Sequence, residues 1–155
     1  MRQDRRNLMA RRSVIAGTAA ALTLMRIPLA RAVEDDQAGR ILAEIMGGRA
    51  PIEGEALAID LPPVAENGSQ VPLTVRVESP MTADDHVTTI HVISTRNPAP
   101  DIGTFRLTPA LARAEVFTRI RLAEAQKIFV VAEMSDGRVL QAAADVVVSV
   151  GGCAT

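Results

Sequence analysis

Cys153 is the only cysteine of the 155-residue chain and the third residue from its C-terminal end. It follows Gly151-Gly152, which in turn follow Val146, Val148 and Val150, alternating as a strand requires. Glycine has no Cβ and little φ/ψ restriction, so the tail reads as a strand, a flexible joint and a thiol on a short free arm. At roughly 3.3–3.6 Å per extended residue, that arm would carry the sulfur about 10–15 Å clear of the fold. A thiol is activated by a neighbouring cation, helix N-terminus or histidine, and nothing within the tail provides one. A carrier that borrows those groups from a partner's pocket therefore fits better than an enzyme. The plainer reading is a frayed end bearing an unselected cysteine, and spacing alone leaves both readings open.

The other chemistry-bearing residues form no constellation. His86 and His91 are the only histidines, and their odd spacing puts them on opposite faces of a strand, a poor metal pair. They read as surface or turn residues. Thr82-Ala83-Asp84-Asp85 reads as a turn with capping side chains, and Glu115, Arg119 and Arg121 as a charged row on one strand face. No Gly-x-Gly-x-x-Gly, phosphate loop, Gly-x-Ser-x-Gly or His-Glu-x-x-His is present, and no cofactor or metal is expected.

The compartment gives the cysteine its meaning. Residues 1–32 read as an export signal: Arg2, Arg5, Arg6, Arg11 and Arg12 precede an apolar run from Val14 to Met25, and Ala30-Arg31-Ala32 has the spacing of a signal-peptidase site. The run falls short of the roughly 20 apolar residues that span a bilayer. Arg11-Arg12 before Ser13-Val14-Ile15 resembles a twin-arginine signal, the route of proteins exported already folded into the periplasm. In an oxidising compartment a leftover cysteine points to intermolecular pairing or a working thiol.

Removing residues 1–32 lowers Lys+Arg from 17 to 10 and Asp+Glu from 18 to 17, so the formal charge moves from −1 to −7. An acidic surface argues against nucleic-acid binding. The remaining 123 residues suit one domain whose core, without Trp or Tyr and with three Phe, is aliphatic.

The elements that would position the thiol follow from periodicity. Residues 33–48 hold a short helix, Glu34 to Met46, with early acids, one apolar face and a Gly47-Gly48 stop. Over residues 49–150 the period changes to two, giving strands at Ala56–Leu61, Val71–Val77, Val87–Ser94, Thr104–Thr108, Ala114–Leu122, Ile128–Met134 and Val139–Val150. Asn67-Gly68 marks a turn, Asn97-Pro98 a loop, and Ser135–Arg138 a tight hairpin. About seven short strands with punctuated turns predict an immunoglobulin-like antiparallel β-sandwich, with residues 151–155 as its C-terminal arm.

The words Ala65-Glu-Asn-Gly68, Val71-Pro72, Ser79-Pro-Met-Thr-Ala-Asp-Asp85, Asn97-Pro98, Thr118-Arg-Ile-Arg-Leu122, Ala132-Glu-Met-Ser-Asp-Gly137 and the terminal Gly151-Gly152-Cys153 resemble the SoxY family, the sulfur carriers of bacterial Sox sulfur oxidation. The resemblance implies thiosulfate-derived sulfur held covalently on Cys153, with Gly151 and Gly152 as hinge positions. It implies a heterodimer with a SoxZ-like second β-sandwich. It implies three enzyme partners: a c-type cytochrome complex, a manganese hydrolase and a sulfane dehydrogenase. The chain departs from the family in ending Ala154-Thr155 where Gly-Gly is usual, and β-branched Thr155 adds bulk there. Two rivals stand beside this reading: a divergent carrier of the same architecture serving another dehydrogenase, and a structural sandwich whose Cys153 forms a disulfide to a partner.

Overall fold

Alternation of aliphatic and polar residues produces the strands. In β4, Val71–Val77, the sequence Val-Pro-Leu-Thr-Val-Arg-Val buries Val71, Leu73, Val75 and Val77 and turns Pro72 and Arg76 to solvent. The computed structural model describes residues 37–152, which belong to one compact unit. The expected signal segment with Arg11 and Arg12, and Cys153, Ala154 and Thr155, lie outside the described residues.

The seven strands expected from the sequence are β2 (Leu57–Asp60), β4, β5 (Val87–Ser94), β6 (Asp101–Arg106), β7 (Ala114–Ile120), β8 (Gln126–Met134) and β9 (Val139–Val148). Two further strands of two residues each, β1 (Ile52–Glu53) and β3 (Val64–Ala65), both pair with β9 in parallel. One sheet runs β1-β9-β8-β5-β6, with β3 also on β9, and the other runs β2-β4-β7. The two pack as an immunoglobulin-like β-sandwich around Leu57, Val71, Leu73, Val75, Val87, Ile90, Val92, Ile120, Leu122, Ile128, Val130 and Leu140, all buried. Each such side chain contributes about 1.5–3 kcal/mol when taken out of water, so an aliphatic core is sufficient without tryptophan or tyrosine.

Helix α1 (Gln37–Met46) lies on the outer face of the larger sheet, where Ile41 and Ile45 line a cleft with Ile93 of β5. Ile93 and Val131 are buried outside the main core cluster, so this sheet has apolar residues on both faces. The helix ends as expected at Gly47-Gly48, whose φ angles of 55° and 80° fall in the left-handed region open to glycine. Arg49 then folds back, donating from Nε to the Met46 carbonyl (2.8 Å) and from Nη2 to the Ile45 carbonyl (2.6 Å) and to Glu133 of β8 (2.7 Å). One guanidinium both satisfies the last-turn carbonyls and ties the helix to the sheet.

Candidate functional site: the root of the C-terminal arm

β9 carries the chain toward the arm, and the backbone stays paired after the strand ends. The Val147 amide donates to the Pro63 carbonyl and the Ser149 amide to the Ala65 carbonyl, both at 2.9 Å. The Gly68 amide then donates to the Val150 carbonyl at 2.7 Å, and the Gly152 amide to the Leu122 carbonyl at 2.8 Å. The Leu122 amide donates to the Gly68 carbonyl at 2.8 Å, which closes the set. Residues 63–69, 121–123 and 147–152 thus form one backbone collar.

The glycines fit this collar because nothing larger does. A Cβ on Gly68 would lie 2.3 Å from the Leu122 carbonyl oxygen and 2.8 Å from the Gly152 nitrogen. A Cβ on Gly151 would lie 2.2 Å from the Ala123 carbonyl oxygen, and one on Gly152 would lie 2.3 Å from the Gly68 carbonyl and the Ser69 nitrogen. None of the three has the left-handed φ that would call for glycine on conformational grounds. Gly68 was legible as part of an Asn-Gly turn signal, but its tertiary role was not. Gly151 and Gly152 were read as a freely moving joint; in the structure their backbones are packed against the 68–69 and 122–123 segments.

Asn97, read from sequence only as a loop residue, holds the collar from beneath. Its Nδ2 donates to the Arg121 carbonyl (2.7 Å) while Oδ1 accepts from the Ala123 amide (2.9 Å), bracketing Leu122 on both sides. Gln126, only 8% exposed, donates from Nε2 to the same Oδ1 at 2.9 Å and accepts the Arg96 amide on Oε1 at 2.9 Å. Asn67 Oδ1 accepts the Ser69 amide at 2.8 Å, which fixes the turn on the other side. Around the root the surface is apolar: Val64, Val147 and Val150 are each more than half exposed, and Val64 and Val147 are register partners.

Other singled-out residues lie elsewhere. His86 precedes β5, with its Nδ1 enclosed and unpartnered, and Thr82 caps the turn through the Asp85 amide as expected. His91 is not a surface or turn residue. It sits within β5, its Nδ1 3.1 Å from Thr104 Oγ1 and its Nε2 3.0 Å from Glu133 Oε1, because its strand face is the one covered by α1. Burial alone would raise the Glu133 pKa, but the hydrogen bonds from Arg49 and His91, with their charges, hold it below the ordinary carboxylate value. Glu115 and Arg119 do share the exposed face of β7, with the exposed Phe117 between them, and Glu115 accepts from Arg76 Nε at 2.9 Å. Arg121 falls beyond the end of that strand. Among the described residues no three His, Cys, Asp or Glu side chains are grouped to hold a metal, and no helix is long and apolar enough to cross a membrane.

The sandwich is shared widely. A superoxide reductase (neelaredoxin) from Ignicoccus hospitalis matches with a TM-score of 0.54 at 15% identity, covering 61% of this chain and 80% of its own. A putative superoxide reductase from Thermotoga maritima matches at 0.56 and 15%, covering 63% and 93%. At such identities the likeness is of fold alone. No curated protein sequence matches the chain. The sulfur carrier protein SoxY from Chlorobium limicola f. thiosulfatophilum is 28% identical with a TM-score of 0.60, covering 72% of this chain and 96% of its own. The family model described as sulfur oxidation protein SoxY matches residues 42–153, a span that takes in the sandwich, the collar and the cysteine, and the chain belongs to that family.

Proposed function

We propose that this chain is the exported sulfur carrier of a thiosulfate-oxidising system, holding sulfur covalently on Cys153 while separate enzymes act on it in turn. The observation that carries the reading is the span of the family match, which runs through Gly151 and Gly152 to Cys153. In the first step the Cys153 thiol loses its proton and its sulfur bonds to the outer sulfur of thiosulfate, while two electrons leave to a c-type cytochrome complex. Water, on a manganese hydrolase, then cleaves the bond to the sulfonate group, which departs as sulfate and leaves a persulfide on Cys153. A sulfane dehydrogenase oxidises that remaining outer sulfur. This chain supplies attachment and delivery, and the catalytic groups belong to its partners. A SoxZ-like β-sandwich completes a heterodimer. Arg11 and Arg12, with the cleavage spacing at Ala30–Ala32, support twin-arginine export to the periplasm. Gly151 and Gly152 are the positions about which the arm turns once an enzyme draws it from the collar.

The test is intact-mass measurement, without reductant, of protein taken from the periplasm of thiosulfate-grown cells. The expected result is a sulfur adduct that reductant removes and that Cys153→Ser abolishes, with stability unchanged to within about 0.5 kcal/mol. An unmodified wild-type mass, or the same adduct on the serine variant, would overturn the assignment.

A further inference from the structure

Leu122 and Ala65 of the collar are buried in the core, but its last segment, residues 147–152, has no fully buried side chain. Val146 is the last buried residue among those described, and residues 149–151 are exposed. A sandwich that needed only to be stable could end at Val148 with any residue beyond it. Instead, three separate backbone segments approach so closely that Gly68, Gly151 and Gly152 each exclude a Cβ, and five backbone hydrogen bonds join them. Asn97 spends both ends of its amide on the Arg121 carbonyl and the Ala123 amide, and the carbonyl it brackets, that of Leu122, receives the Gly152 amide. The bond from Gln126 Nε2 to Asn97 Oδ1 fixes which way that amide faces.

We propose that Gly68 and Asn97 are positioning residues for the carrier arm. They hold its root at one point on the surface, so that Cys153 leaves the body from Gly152, one Cα step of about 3.8 Å beyond the clamp, and not from a loose five-residue tether. An enzyme that takes the thiol from this docked state meets the Asn67–Ser69 and Arg121–Ala123 turns at the same time. An enzyme with a deeper channel must first break the two hydrogen bonds that hold the root, from the Gly68 amide to the Val150 carbonyl and from the Gly152 amide to the Leu122 carbonyl. The functional meaning rests on Cys153 as the attachment site, but the clamp itself can be tested without sulfur chemistry.

The experiment places a nitroxide on Cys153 of the full mature chain and, in parallel, follows amide hydrogen exchange by NMR. In the wild type the Gly68, Leu122 and Gly152 amides are expected to be protected and the nitroxide spectrum to show restricted motion. Asn97→Ala and Gly68→Ala should speed exchange at those three amides by about tenfold or more and sharpen the nitroxide spectrum, while β5 and β8 amides keep their protection. Asn97→Asp, which keeps the acceptor for Ala123 and Gln126 but loses the donor to Arg121, should restore part of the restriction. With the partner enzymes, the Ala variants should raise KM more than they lower kcat. Unprotected Gly68 and Gly152 amides in the wild type, or a nitroxide equally mobile in wild type and Asn97→Ala, would overturn the proposal. Restricted motion in a chain that never bears a sulfur adduct would uphold the clamp and overturn the carrier reading instead.

Discussion

A glycine can be required by its own backbone or by a neighbour's. Gly47 and Gly48 are of the first kind and were legible in the sequence, because a helix stop is a local event. Gly68 is of the second kind: the group that excludes its Cβ is the carbonyl of Leu122, 54 positions away, and no local pattern announces that. Asn97 was hidden for the same reason, since its partners at Arg121, Ala123 and Gln126 are all distant in sequence. Glu133 adds a residue whose charge state is set by the fold. Its folded pKa lies below the ordinary value of 4.5, so in acid the unfolded chain binds the proton more readily than the folded one. The stability it contributes is present above about pH 4.5 and is lost as pH falls through the lower folded pKa. Glu133→Gln should therefore be less stable than wild type near neutrality, and the gap should close in acid. Urea unfolding at several pH values checks this, and a gap independent of pH would contradict it.

Among the elements, strands with clean alternation were readable end to end. β4 and β5 occupy the residues their patterns indicate, while β6 begins three residues before its expected start. β1 and β3 were not readable, because two residues carry no period and each is made a strand only by pairing with β9. The helix was legible through its apolar face, but its docking was not. That docking runs through Arg49, a residue just past the helix stop, which reaches Glu133. Arg49→Ala should loosen α1 while leaving the sandwich folded, at a cost of about 1 kcal/mol for partly exposed bonds. Limited proteolysis near Gly47-Gly48 should quicken, and the slope of urea unfolding should stay constant. Cleavage no faster than in the wild type would mean that Ile41 and Ile45 hold the helix without help.

For the whole molecule, the sandwich class was legible because seven strand patterns and their turns recur at short intervals. Which sheet each strand joins was not, since that depends on pairing between strands far apart in sequence. Export belongs at this scale, because the proposed carrier needs an oxidising compartment and partners outside the cytoplasm. Periplasmic protein should begin at or near Val33 on N-terminal sequencing, and a retained Met1 in the cytoplasmic fraction of growing cells would count against it.

The place of β9 in its sheet has a consequence for the order of events in the cell. β9 is paired on one side with β8 and on the other with β1 and β3, so it is an interior member of the sheet although it is the last strand in chain order among the described residues. Until β9 has docked, β8 has an open flank and neither β1 nor β3 has its strand partner. Folding of this sheet therefore waits on β9, however early the strands before it are made. The collar forms from the residues that immediately follow, so a truncated or half-made chain cannot assemble it. Closure of the larger sheet and assembly of the collar thus depend on the same strand, β9, and a chain that lacks it has neither.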